Sequence, residues 1–476
     1  MIPLALYLVY VFVGKLGATF QNGYRAIVFA LLTAFILMPA VRNFHPFLEV
    51  FLMFWFLLLS FILFFVGYKK LSWMQSYLLF LSPAILIVPA LFVTHWQIKK
   101  LYAAEKEVQV TVVPKNPAPV IILVFDEFPL VTLLNKDLQI DSHLFPNFYK
   151  LSQQASFYRN ATTSADQTVY AIPAILTGKY PKPHSIAVPI DYPNTLFTLL
   201  SDTYSMQATE FGTKLFPDQE GSSRNTTSRD ISQIASDLLI IYGHLVLPQP
   251  LKSKLPSVTN NWGNFTIRQN QIRSPDHRAG RQKTFDDYLG SLKKESKPIL
   301  RYLHILLPHR IWEFLPSGRI YDPFEIESIA MGQTVSWENE TIVKESYQRL
   351  LLQVQFLDRL IGTLIAKLEQ EDLYDSALII LVGDHGIGLT EREEFRKVEK
   401  NNFPEMLWIP LLIKYPNQKT GKTFDWNVES VDILPTVADV LKFTLPWKGD
   451  GYSLIQSAPP RKEKKCFMTD SQTEKI

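Results

Sequence analysis

Hydrophobic and polar positions divide the chain into two textures. Among the first 95 residues only Lys15, Arg25, Arg42, Glu49, Lys69 and Lys70 carry charge, and the intervals between them are apolar. Phe47 to Gly67, FLEVFLMFWFLLLSFILFFVG, reaches the roughly 20 residues with which a helix crosses about 30 Å of hydrocarbon. Trp73 to Trp96 forms a second such run, bracketed by tryptophans suited to the membrane interfaces and followed by Lys99 and Lys100. Ala26 to Val41 is shorter, and Ile2 to Phe20 is interrupted by Lys15. That first segment lacks the basic flank and small-residue cleavage site of a signal peptide. The pattern predicts an N-terminal bundle of 3-4 transmembrane helices over residues 1–96.

A proline-punctuated linker follows over 97–118, with Pro114 and Pro117, and a different grammar begins near 119. VIILVF is the kind of continuous β-branched run that a parallel sheet buries on both faces, and it ends in Asp126 and Glu127. SALIILVGDHG repeats the pattern, with a strand expected over Ala377 to Val382 that delivers Asp384 and His385. Between them, Leu350, Val354, Leu357, Ile361, Leu364 and Leu368 recur at helical spacing, predicting a helix over Thr341 to Glu371. Strands alternating with helices predict an α/β catalytic domain over 119–455 with a mainly parallel central sheet. The stretch from Asp218 to Gly263 reads as an insertion, and 456–476 as a charged tail.

Charge and cysteine content narrow the function. Residues 1–100 hold seven Lys or Arg and one acid, so the remainder sums to about −3 against a total of +3. No basic nucleic-acid surface is indicated. The single cysteine, Cys466, excludes an intramolecular disulfide and does not suggest a thiolate metal site. Positive charges flanking the expected spans nearly balance, so orientation is not decided by charge.

The candidate chemistry lies at the strand ends. Carboxylates at the carboxyl end of a buried parallel strand stand where α/β ligand sites form. Asp126, Asp384, His385 and an oxygen nucleophile make a donor set for one divalent metal ion, Mn, Mg, Zn or Ca. Thr168, in QTVYAIPAILTGKYP, is that nucleophile candidate, at an expected helix start where the dipole favours anions. A cation beside it lowers the hydroxyl pKa. A Thr168 oxygen more than about 8 Å from the imidazole of His385, several coordination bonds away, excludes this reading.

The order of these stretches resembles the sulfatase and alkaline-phosphatase superfamily, in particular its membrane-anchored bacterial branch of lipoteichoic-acid synthase-like and phosphoethanolamine-transferase-like enzymes. FPNFYKLSQQASFYRNATT, TVYAIPAILTGKYP, LHILLPHRIW, LVGDHGIG, IPLLIKYPNQKTG and VESVDILPTVADVLKFTLPWKGDGYSL carry the likeness. It implies an alkaline-phosphatase-like α/β/α sandwich and places Thr168 where sulfatases carry the cysteine that becomes formylglycine. With threonine there, formylglycine cannot form. Ile172 also stands where sulfatases place an arginine, and His385 where many have asparagine, both departures pointing toward phosphoryl transfer.

The resemblance further implies roles. Thr168 attacks a phosphoester to form a phosphothreonine, and Asp126, Asp384, His385 and Thr168 hold the metal, with Glu127 as a possible second carboxylate ligand. His309 binds an oxygen or protonates the leaving group, and Arg396 or Lys397 clamps the transferred group. His304, inside the apolar strand, is expected to be buried and structural, and Lys414 peripheral. The expected function is a metal-dependent phosphotransferase or phosphodiesterase acting on a membrane-lipid or envelope phosphoester, with no nucleic acid partner. Its expected location is a multi-pass cell-membrane protein with an extracytoplasmic catalytic domain. Sulfate-ester hydrolysis and an inactive envelope-binding member remain the alternatives.

Overall fold

The computed structural model describes residues 9–28, 110–217, 229–247, 280–321 and 339–455, together with short stretches and single residues between 54 and 94, 249 and 256, and 457 and 475, and position 337. Much of the predicted transmembrane bundle and the 97–109 part of the linker lie outside these residues. Among the described residues no helix is long and apolar enough to cross a membrane. Within 9–28 the chain forms two helical pieces parted by a turn at Lys15–Gly17, and Gly17 has φ 113°, so the interruption read at Lys15 is a break in the helix.

The chain divides into two compact units. One gathers Met1–Ala103 with Ser223–His277, and the other Ala104–Ser222 with Arg278–Ile476. The stretch expected as an insertion in the catalytic domain thus groups with the apolar N-terminal unit, and its helix Arg229–Val246 belongs there.

In the larger unit, strands β1 (Val120–Asp126), β2 (Ser156–Tyr158), β4 (Ser205–Thr209), β5 (Ile299–Pro308), β6 (Leu378–Gly383), β7 (Leu411–Lys414) and β8 (Lys422–Phe424) build one sheet. Their order is β4-β5-β1-β6-β7-β2-β8. All neighbours pair in parallel except across β7, which runs antiparallel to both β6 and β2. β3 (Ala161–Thr162) with β9 (Val428–Glu429), and β10 (Cys466–Thr469) with β11 (Gln472–Lys475), form two small pairs.

Both faces of the sheet are covered, which is why its central strands read as continuous apolar runs. On one face Ile121, Leu123, Phe125, Leu303, Ile379 and Leu381 meet the helix Glu340–Gln370 through Leu350, Val354, Leu357, Ile361, Leu364 and Leu368, the residues whose spacing predicted it. The Asn339 side chain accepts the Ile342 N–H at 3.0 Å and caps that helix, within a residue of the expected start. On the other face Val120, Ile122, Val124, Tyr302, Ile380 and Val382 pack with Ile172, Ile175, Val437 and Leu441, from helices Thr168–Thr177 and Ile433–Leu441. Trp312 and Trp337 stack in the first layer, both 2% exposed.

The tail expected to be merely charged also contributes structure. The Met468 N–H donates to Ser164 O at 2.9 Å, the Asp166 N–H donates to Met468 O at 3.3 Å, and Met468 packs on Ala165, Tyr170 and Ala171. The sequence missed these contacts because they join Met468 to residues 164–166, far from it along the chain.

Candidate active site

Parity along the strands brings the site together. Val124 on β1 registers with His304 on β5 and Val382 on β6, and residues two apart on a strand share a face. Asp126, His304 and Asp384 therefore converge on one side of the sheet, at its carboxyl edge. Each offers a ligand atom within 4.8 Å of the others.

The connection before the helix Thr168–Thr177 delivers the hydroxyl. Thr168 is the first helical residue, with Gln167 at the N-cap, so its side chain is not spent on capping. Its Oγ1 donates to Asp384 Oδ2 at 2.8 Å and lies 3.3 Å from His385 Nε2. The proximity demanded of the nucleophile is met. At the other end of the helix, Gly178 takes φ 65°, the left-handed cap that favours glycine.

The surrounding bonds orient each donor. His385 Nδ1 lies 2.7 Å from Gly386 O, and His304 Nδ1 lies 3.0 Å from Phe211 O. Protons on those nitrogens leave both Nε2 atoms as ligands, the backbone acting as the outer support that metal-binding histidines use. Asp384 Oδ1 accepts the N–H groups of His385 (2.6 Å) and Glu127 (3.3 Å), reserving Oδ2 for the cluster. Gly386 fits because a Cβ there would lie 1.8 Å from Glu405 O.

The residues present fit a cation. His304 Nε2 stands 3.5 Å from Asp126 Oδ2 and 3.6 Å from Asp384 Oδ2, and His385 Nε2 lies 3.8 and 3.7 Å from the same two carboxylates. Those gaps exceed charge-assisted hydrogen bonds and approach the edges, about 3.4 Å, of a tetrahedron with bonds of about 2.1 Å. Asp126 Oδ1 and His304 Nε2 are buried without any hydrogen-bond partner. Buried polar atoms of this kind are costly unless something satisfies them. His304, expected to be buried and structural, is buried as expected, and the structure also places it in the group with Asp126 and Asp384 that could hold a metal ion.

Electrostatics follow. Burial pushes Asp126 up, but positive charge on His309, His304 and His385 outweighs it and holds the carboxyl well below its usual range. Burial lowers His304, yet the adjacent carboxylates of Asp126 and Asp384 carry it to about 10. His385 is likewise raised, burial being outweighed by Asp384, Asp126 and Glu127.

Glu127 turns the opposite way. Its φ of 53°, a left-handed conformation that costs an L-residue of order 1 kcal/mol, aims its carboxylate away from Asp126. Oε1 lies 2.9 Å from Arg396 Nη2 and 3.3 Å from His309 Nε2, and Oε2 accepts the Arg310 N–H at 3.0 Å. Burial raises the Glu127 pKa, but His309 and Arg396 outweigh it and leave the group lowered. His309 is lowered, because burial exceeds the pull of Glu127 and Asp126. Arg396 Nη2 also lies 2.9 Å from His309 Nε2. The structure thus assembles Glu127, His309 and Arg396 into a second face beside the first, and the neighbouring Lys397 carbonyl accepts Asn402 Nδ2 at 2.9 Å.

Two braces escaped the sequence reading. Asn402, wholly buried, donates to Glu394 O and accepts from Glu399 N–H, fixing the loop that bears Arg396. Gln353, from the long helix, donates to the carbonyls of Pro308 and His309 at 3.0 Å and holds the loop after β5. A polar residue on an otherwise buried helix face was the available signal.

A family model described as Sulfatase matches residues 120–443, more than half of the chain. The chain belongs to the sulfatase family. Enzymes of this superfamily are metal-dependent, as the buried Asp126, His304 and Asp384 group accommodates. Sulfatase relatives include the Ulvan-active sulfatase of Formosa agariphila, 25% identical over 38% of this chain and 36% of that protein. The multifunctional alkaline phosphatase superfamily protein PehA of Trinickia caryophylli is 33% identical over 36% of this chain and 32% of its own. The matched segments span about a third of the length of these two curated relatives. Among solved structures, a 2-O GAG sulfatase superposes with a TM-score of 0.50 at 13% identity, over 75% of this chain and 78% of that one. That likeness shows the sulfatase fold.

Proposed function

We propose that the chain is a metal-dependent ester hydrolase or transferase in which Thr168 is the nucleophile, with phosphodiesters its favoured substrates. The observation that carries this reading is the Thr168 hydroxyl, held 2.8 Å from Asp384 Oδ2 and 3.3 Å from His385 Nε2, in a position that cannot become formylglycine. A divalent cation held by Asp126, Asp384, His304 and His385 supplies the charge that makes the hydroxyl acidic and offsets charge on the transferred group.

Asp384 orients the Thr168 O–H, and its Oδ2, 2.8 Å away, takes the proton as the oxygen attacks phosphorus. The Thr168 O–P bond forms while the P–O bond to the leaving alcohol breaks, and the alcohol leaves with a proton. His309, 22% exposed at its side chain, stands on the second face and gives that proton in its protonated form, which its lowered pKa makes the minor one near neutral pH. Water or a second alcohol then displaces Thr168. Sulfate-ester hydrolysis is the second reading, supported by the sulfatases among the relatives.

Membrane anchoring, with the catalytic unit outside the cytoplasm and a lipid or envelope ester as substrate, belongs to the same proposal. It is supported by the apolar runs of residues 1–96 and by exposed Phe54, Trp55, Leu59 and Leu91 in the N-terminal unit. In the helix Arg229–Val246 of that unit, Leu238, Leu239 and Leu245 are exposed as well.

The test uses protein recovered from alkaline-washed membranes, mixed with a glycerophosphodiester and with an aryl sulfate, and weighed intact. The expected result is a phosphoryl adduct on Thr168, absent from Thr168→Ala. Turnover by Thr168→Ala equal to wild type removes the nucleophile, an adduct from the sulfate alone favours the second reading, and loss of the protein to the wash removes the anchor.

A further inference from the structure

Resting on the ester chemistry just proposed, we propose that Glu127 selects substrate charge. By occupying Arg396 and His309, it admits esters whose transferred group carries one negative charge and turns away the dianions of phosphomonoesters.

Three carboxylates, Asp126, Glu127 and Asp384, are gathered at the site, each at most 4% exposed, with Asp384 on Thr168 and Glu127 on Arg396. Arg396 is ion-paired with Glu127 at 2.9 Å. Arg281 lies behind His309, and its guanidinium donates to the carbonyls of His309, Ile311 and Arg310. A bound divalent cation and Arg396 would together bring three positive charges against these three carboxylates, and Glu127 offsets the charge that Arg396 would otherwise offer a dianion. Without Glu127, Arg396 would face the substrate unneutralised.

The placement of Glu127 argues for this role over metal ligation. Its two oxygens are engaged by Arg396, His309 and the Arg310 N–H, at 2.9 to 3.3 Å. Asp126, its neighbour, keeps a buried oxygen without a partner. Glu127 is 1% exposed, so water screens its charge little. Arg396, its side chain 47% exposed, is the part of the pair that an incoming ester reaches. A fixed like charge next to a binding site excludes by repulsion what the attractive groups alone would accept.

The experiment compares kcat/KM for p-nitrophenyl phosphate, a dianion, with bis(p-nitrophenyl) phosphate and p-nitrophenyl sulfate, both monoanions, on the full metal-loaded chain. In Glu127→Gln the dianion-to-monoanion ratio should rise about tenfold or more, the effect of one unit charge several ångströms away in a partly screened site. The change should appear mainly in KM. Calorimetry with inorganic phosphate on a Thr168→Ala background should show tighter binding once Glu127→Gln is added. Arg396→Met should move the ratio the other way, and it carries the test if Glu127→Gln does not fold.

An unchanged ratio with monoanion turnover intact overturns the inference and leaves Glu127 a brace for Arg396. Loss of bound metal from Glu127→Gln also overturns it, by making Glu127 a ligand. Absence of turnover on every ester by the wild type counts instead against the proposed function.

Discussion

The two faces beside Thr168 handle buried charge in opposite ways. On the first, Asp126, Asp384, His304 and His385 are deep, and two of their atoms have no hydrogen-bond partner. On the second, Glu127, His309 and Arg396 complete one another, and the arginine reaches solvent. An incomplete buried polar network is costly as it stands and is stabilised by an ion, whereas a complete one is already stable. Adjacent residues 126 and 127 divide these tasks, separated by one left-handed peptide unit.

The largest effect should come from opening the first face. Asp384→Asn removes the carboxylate shared by Thr168, His304 and His385. Metal content measured by plasma emission should fall from about one equivalent to about a tenth or less, with turnover down about a thousandfold. Equal metal retention would show that the first face does not hold the ion.

A smaller effect is expected at His304. Its replacement by Gln keeps the volume and removes the imidazole ligand, so metal affinity from a chelator competition should drop by at least about tenfold. Wild-type affinity would return His304 to the packing role that its place in an apolar strand suggested and collapse the contrast between the faces.

The smallest effect lies outside both faces and gives their pH response a baseline. Lys414, 1% exposed, has its ammonium on Tyr374 O, and burial lowers its pKa to about 8 from 10.5. The unfolded chain therefore binds the extra proton between those values, and stability gains from this group as pH rises from about 8 to 10.5. Denaturant midpoints of wild type relative to Lys414→Met should rise across that window. A flat difference would place the charged form of Lys414 in the fold without cost.

What the sequence made legible is local. Asp126, Asp384 and His385 follow apolar strands directly, and Thr168 opens a helix ended by Gly178, so each could be placed from a few neighbours. The helix Glu340–Gln370 was visible from its apolar spacing, though not the Asn339 cap that starts it. His304 was not, because an imidazole in a buried strand becomes a ligand only when that strand lies beside β1, a pairing no local pattern encodes. The diverging direction of Glu127 depends on a positive φ that a glutamate does not advertise. Nor did the stretch from Ser223 onward signal that it groups with the N-terminal unit rather than with the sheet surrounding it in sequence.

The position of β1 also bears on how the molecule comes into being. Val120 begins the first strand of the sheet to emerge, yet it pairs with Leu300 and Leu378. At roughly 5–20 residues per second of synthesis, seven consecutive buried residues wait on the order of 10–40 s for their first neighbour on one side and longer for the other. The nascent chain must shelter this sticky segment throughout, so yield in a heterologous host should depend on holding factors more than on the finished fold's stability.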